Sequence, residues 1–219
     1  ALLSLCCMSL VAPPSLSNNA PRWPIYFKTP RKCDIFGVMC EGIPQQVNFL
    51  IDEASDTGKG ANTTISYVHY YFKHHGLGET NGHLHADNCL GQNKNNYFVW
   101  YLAWRVIMEL HKNITYSFLI AGHTKWSFGM IKKAYKVNYI SSLYELARMV
   151  DSSSTVGVNK AQLVGTHDGP IFVPVFDWVE FLGKYFRKLP NIKSFHHFRF
   201  CQHWSGTVYY KVLRFLASF

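Results

Sequence analysis

The chain has 219 residues and a net charge of +9, from 22 Lys and Arg against 13 Asp and Glu. That length supports one full core, or one core with a small appendage. Hydrophobic content of 48% against 16% charged residues excludes a disordered chain, and no run reaches the roughly 18 apolar residues that a membrane span needs. The positive excess favours a polyanionic partner, nucleic acid before membrane, although many basic proteins bind nothing specific. Aromatic residues make up 16% of the chain; they fit a core, or a surface that stacks bases.

The apolar start, Ala1–Ala12, imitates a signal-peptide core but has neither an initiating Met nor a basic leader. It reads as a core strand of a gene fragment. Pro13 and Pro14 stop it. Pro24–Lys28 and Asp34–Met39 read as strands, and so does Val47–Ile51, with Asp52 and Glu53 at its carboxyl end. Ala61–His75 has helical spacing, with Ile65, Val68 and Phe72 on one face, Asn62 or Thr63 as cap and Gly76 as stop. Leu84–Ala86 is the next strand. Asn95–His111 is a helix, apolar nearly all round, and Thr115–Ala121 is a strand. Phe128–Lys136 and Ser141–Val150 are helices.

Ser152–Ser154 marks a boundary. Beyond it, Gln162–Gly165 and Ile171–Val175 predict one hairpin, Asp177–Lys188 a helix capped by Asp177, and Ser194–Cys201 with Thr207–Leu213 a second hairpin. The expectation is a core over residues 1–150 and a small α+β extension over 151–219. The order of elements predicts an α/β fold: a mixed sheet of antiparallel meander and crossover units, covered by helices on both faces.

Six cysteines lie at 6, 7, 33, 40, 89 and 201, without a CxxC pair. The spacing suits neither a disulfide framework nor a zinc ribbon, so reduced thiols in a nuclear or cytoplasmic protein are expected. The histidines are scattered and form no HExxH or C2H2 pattern. The loop Asp56–Thr64 (DTGKGANTT) fails the P-loop spacing, although a helix start there can still meet an anion.

The run His83–Asn96 (HLHADNCLGQNKNN) is the most specific. A buried strand ends on Asp87, and open α/β sheets hold their ligands at such carboxyl ends. Asp52 ends another strand. If the two strands are neighbours, Asp87 and Asp52 can share Mg2+ or Mn2+ for phosphodiester chemistry; Asp is also a common strand-end and turn residue. Two-ion cleavage wants a third acid, yet no Asp or Glu occurs between Glu109 and Glu145. His123 and Lys125 stand there instead. His123 can ligate a metal or serve as a turn histidine, Lys125 can meet a phosphate, and neither replaces a hard oxygen ligand. Lys125, Lys132, Lys133 and Lys136 gather around one short helix, with Lys94 in the polar run, and Lys184, Arg187, Lys188 and Lys193 form a second cluster. Interleaved Tyr135, Tyr139, Tyr185 and Phe186 suit a nucleic-acid groove; solvated helix faces fit equally well.

The runs IYFKTPRKC (Ile25–Cys33), Phe49–Phe72, His83–Trp104 and FLIAGHTK (Phe118–Lys125) resemble a family of uncharacterised, transposon-associated animal proteins with a ribonuclease-H-like, integrase-type core. The resemblance extends from about Ile25 to Lys211 and implies a five-stranded sheet. It also implies that Asp87 is the acid after the fourth strand. Similar proteins carry an Asp in the first strand, where this chain has Ser9–Ala12 (SLVA) with Val11 at the acid's place. They carry another after the GHTK run, where this chain continues as Trp126–Gly129 (WSFG). On this resemblance Asp52 falls to second rank, Asp87 is vestigial, and the domain is a degenerate nuclease with weak DNA binding. The alternatives are an active Mg2+- or Mn2+-dependent nuclease using Asp87 and Asp52, with His123 or Glu109 as third group, and a non-catalytic protein-interaction module.

Overall fold

A computed structural model describes residues 2–11, 32–53, 58, 60–86, 93–118, 126–166 and 169–211. The strands are β1 (Leu2–Val11), β2 (Lys32–Cys40), β3 (Gln45–Asp52), β4 (Asn81–Ala86), β5 (Asn113–Phe118), β6 (Asn159–Leu163), β7 (His197–Cys201) and β8 (Tyr209–Lys211). The helices are α1 (Ala61–His74), α2 (Asn96–Ile107), α3 (Trp126–Val137), α4 (Leu143–Ser152) and α5 (Trp178–Gly183). Asp87, His123 and Lys125 lie outside the described residues, as does the predicted strand Pro24–Lys28.

All eight strands join one sheet, in the order β6-β3-β2-β1-β4-β5-β7-β8. β1, β2 and β3 form an antiparallel meander, β4 runs parallel to β1, and β5 parallel to β4. β6 adds in parallel beside β3, and the β7–β8 hairpin adds antiparallel beside β5. The mixed α/β sheet predicted from the sequence is therefore present, but with eight described strands rather than five. The chain beyond residue 150 extends the sheet at both edges. Of its two predicted hairpins, β7–β8 forms, while the other is reduced to an isolated bridge between Gly165 and Ile171.

Alternation decides which face each side chain takes. In β4 and β5 the residues Leu84, Ala86, Ile114, Tyr116 and Phe118 face one core, with α1 and α2 packed over them. Phe49 stacks on Tyr67 of α1 at 5.2 Å between ring centres. A second core on the opposite face joins Met8, Leu10, Ile35 and Leu50 to Phe128 and Ile131 of α3 and to Leu146, Met149 and Val150 of α4. Helices thus cover both faces, but the second-face cluster contains no residue of β4, β5, β7 or β8.

Side-chain hydrogen bonds fix the element ends. Asn95 caps α2 at Phe98 N (2.9 Å), Ser142 caps α4 at Glu145 N (3.2 Å), and Asp177 caps α5 at Glu180 N (3.0 Å). Asn62 does not cap α1. It donates to Asp177 Oδ1 (3.0 Å) and accepts from Val179 N (2.8 Å), tying α1 to the start of α5. α5 ends at Gly183, short of the predicted Lys188. Trp100 Nε1 donates to Arg187 O (2.9 Å) and Leu189 N donates to Asn96 Oδ1 (2.7 Å), so tertiary partners take the backbone groups that a longer helix would use. Pro190 disfavours helix at Leu189 as well.

A buried polar chain joins the second-face elements. Ser127 at the start of α3 donates to Gln46 Oε1, Gln46 Nε2 donates to Asn48 Oδ1 (2.6 Å), and Asn48 Nδ2 donates to Asn159 Oδ1 (3.3 Å). Asn159 Nδ2 continues to Ser153 Oγ at 2.9 Å. Each buried polar atom of this Ser127–Gln46–Asn48–Asn159 network has a partner, which offsets the cost of its burial.

Candidate nucleic-acid interface

β1, β3, β4, β5 and β6 run the same way, so their carboxyl ends share one edge of the sheet. This is the edge where α/β sheets hold ligands. β1 (LLSLCCMSLV) brings no carboxylate to it. β4 ends at Ala86, paired with Leu5 of β1 and with Phe118 of β5.

Asp52 lies on the same edge but far from the end of β4. Leu5 pairs with Val38 and Val38 with Val47, which puts Ala86 level with Val47. Asp52 lies five residues further along β3, three strand positions away. At about 3.3 Å per residue and about 4.8 Å per strand, it stands roughly 20 Å from the end of β4, too far for one ion to bridge. Its side chain is 2% exposed and lies on the sheet face covered by α3 and α4. Sequence spacing places Asp52 at a strand end but carries no register, and the register separates Asp52 from the end of β4.

Glu109 is excluded by the direction of α2, which starts at the carboxyl edge and runs back to the opposite one. There Lys112 N donates to Thr80 O (2.7 Å), just before β4 begins. Glu109 itself takes a left-handed backbone, with φ of 58°.

What the described residues place beside the β4 and β5 ends is positive. Tyr116 Oη donates to Asn93 O (3.0 Å), pinning the polar run to β5. The next residue, Lys94, is 2% exposed, with its ammonium 5.0 Å from the centre of the Phe118 ring. Burial pushes its pKa below the usual lysine value. Lys94, expected to touch nucleic acid, is thus inside the protein. His196 lies close by: burial, then the Lys94 charge, hold its pKa down, and its Nδ1 is buried without a hydrogen-bond partner. A buried ammonium beside an imidazole does not fit a site for Mg2+ or Mn2+, which take oxygen ligands. Among the described residues no group of three or more His, Cys, Asp or Glu is placed to hold a metal ion.

The other basic candidates among the described residues face solvent. Lys132, Lys133 and Lys136 are exposed on α3, whose Phe128 and Ile131 turn to the core. Lys188 and Lys193 flank an open groove of about 680 Å³ at the amino end of α2, with Asn96 and Ser194 on its walls. Lys184 is held by Glu180 in an exposed ion pair at 2.9 Å, a contact worth little to stability.

These features define a mixed-sheet α/β protein whose exposed lysine candidates lie on α3 and beside the groove at α2. The chain belongs to the family described as a domain of unknown function, DUF7869, whose model matches residues 28–216. Comparisons with curated proteins and with solved structures find no match. Among the described residues no helix is long and apolar enough to cross a membrane.

Proposed function

We propose that this chain is a transposon-derived, ribonuclease-H-like domain that has lost cleavage and retains weak DNA binding. The observation that carries this reading is one strand order with one omission. β3-β2-β1-β4-β5, an antiparallel meander continued by two parallel strands, is the arrangement expected of a ribonuclease-H-like core, and its central strand β1 contains no carboxylate. A lone acid after β4 cannot clamp two dications against a phosphodiester. The exposed lysines of α3 and of the groove beside α2 supply the DNA contacts, and the protein acts in the nucleus or cytoplasm.

The test is nicking of supercoiled DNA with Mg2+ or Mn2+, run beside Asp87→Ala, together with a DNA-binding titration against salt. No metal-dependent nicking and an affinity that falls with salt are expected. Nicking that Asp87→Ala abolishes would replace this reading by an active nuclease. Absence of salt-dependent binding would leave a protein-interaction module.

A further inference from the structure

Among the described residues, the cluster under α3 and α4 reaches no further than β1, and over β4, β5, β7 and β8 the second face carries exposed or half-buried side chains. Strand pairing arranges its side chains in two cross-strand rows. One runs His83, Thr115, Arg199, Tyr209; the other runs His85, Ser117, His197, Lys211, bordered by the buried Ser4 of β1. The residues between them, Leu84, Tyr116 and Phe198, point into the core beneath α1 and α2, which fixes the rows on the open face.

This face is built, not leftover surface. His83 Nδ1 and Thr115 Oγ1 lie 2.6 Å apart, and His197 Nδ1 and Ser117 Oγ lie 2.9 Å apart. Each pair holds a ring through one nitrogen and leaves the other for a ligand. Arg199 and Lys211 are exposed fixed cations, and the Tyr209 ring is 47% exposed. The neighbouring carboxylate, Glu41, accepts from Ser4 Oγ at 2.8 Å, at the margin of the face.

We infer that this open face binds single-stranded nucleic acid, with Arg199 and Lys211 on the phosphates and Tyr209 stacking a base. The charge is complementary to a polyanion. A half-open sheet about 14 Å wide, from β4 to β8, offers a flat platform with an aromatic ring and hydrogen-bonding side chains. That is the chemistry by which unpaired bases are held, whereas a duplex hides its base faces. The inference deepens the DNA-binding reading above and rests on it, while naming a different surface and a different form of the ligand.

The experiment is fluorescence anisotropy with the whole chain, a labelled mixed-sequence oligonucleotide of about 20 nucleotides and its duplex. The variants are Arg199→Ser with Lys211→Ser, Tyr209→Ser alone, and an α3 variant carrying Lys132→Ser, Lys133→Ser and Lys136→Ser. The single strand is expected to bind more tightly than the duplex. The Arg199/Lys211 variant should weaken it about tenfold or more and flatten the salt slope by about 1.4, two single-strand phosphate contacts at about 0.7 each. Tyr209→Ser should weaken it at least about fivefold without changing the slope. Because substitutions on an edge hairpin can disturb folding, the unmodified chain provides a second measurement: single strand should protect His83, His85 and His197 from diethyl pyrocarbonate. Single-strand binding that survives the Arg199/Lys211 and Tyr209 changes, or leaves these histidines unprotected, overturns the inference. If only the α3 variant loses binding, or only duplex is bound, the DNA-binding reading stands without this face. If neither nucleic acid is bound, both fall.

Discussion

The ammonium of Lys94 lies 5.0 Å from the centre of the Phe118 ring, closing the chain's entry into α2 over the last residue of β5. A cation in that place costs desolvation, which the ring offsets only in part. Lys94→Met keeps the apolar stem and removes the charge. Urea unfolding at neutral pH should show equal or greater stability, by about 1 kcal/mol, and DNA binding should keep its salt slope. A loss of stability beyond about 1 kcal/mol would mean that the ammonium holds something that its cost conceals.

Stability should fall in acid because of two histidines. Arg105, itself buried, donates through Nε to His111 Nδ1 (3.3 Å) and through its guanidinium to Tyr101 Oη (2.9 Å), and Tyr101 Oη meets His69 Nδ1 at 3.3 Å. Burial, and then the Arg105 charge, push both His69 and His111 down to about 4. The unfolded chain protonates these rings near pH 6.5, while the folded chain keeps them neutral to about pH 4. The unfolded state therefore binds more protons in that window, and stability declines as pH drops through it, with no contribution from these groups above about pH 7. The upper bound is roughly 3 kcal/mol per ring. His111→Gln retains an acceptor for Arg105 and should flatten the dependence of the urea midpoint on pH; an unchanged profile would sink the assignment.

Gly37, in the middle of β2, lets α3 approach the sheet. A Cβ there would lie 2.8 Å from Gln46 Nε2 and 3.0 Å from Phe128 Cζ. Gly37→Ala should therefore cost about 1–3 kcal/mol in a denaturant titration, the usual price of overpacking. A neutral result would show that α3 rides loosely on the sheet.

The elements legible in the sequence are those whose burial follows a simple period. β2, β3, α1, β4, α2, β5, α3 and α4 all fall where alternation or three-to-four spacing predicts them. β6 (NKAQL) carries only a weak apolar signal: Ala161 and Leu163 pack partly buried against the second core, but the fully buried position of the strand is Asn159, bonded to the buried Asn48. The partner of β7 is equally silent in HFRFC, which reads as a strand but not as a neighbour of β5. Composition tallied Lys94 among the surface cations, and only the packing over Phe118 reveals that it is interior. The open-face rows left a faint signal: His83 and His85 alternate, as do Thr115 with Ser117 and His197 with Arg199. What the sequence lacked was the register that sets them side by side, and the same gap hid the distance between Asp52 and the end of β4.

The Asn48 network yields the strongest coupling to be measured. Asn48 is fully buried, accepts from Gln46 Nε2, and donates from Nδ2 to Asn159 Oδ1 and Lys160 O, both at 3.3 Å. Removing it leaves the Gln46 Nε2 donor and the Asn159 Oδ1 acceptor without the bonds described above, in a place water does not reach, so Asn48→Ala should cost about 2–4 kcal/mol. Asn159→Ala should cost a similar amount through the loss of the same bond and of its donation to Ser153 Oγ. Because the two share an interaction, the double variant should lose less than the sum, by about 1 kcal/mol. Hydrogen exchange provides the spatial readout. The β6 amides paired with β3 should lose protection in either variant before those of β4 and β5 do, since Asn159 anchors an edge strand with little apolar burial of its own. Strict additivity, or exchange that rises uniformly across the sheet, would show that β6 is held by its backbone ladder alone and that the polar chain is passive.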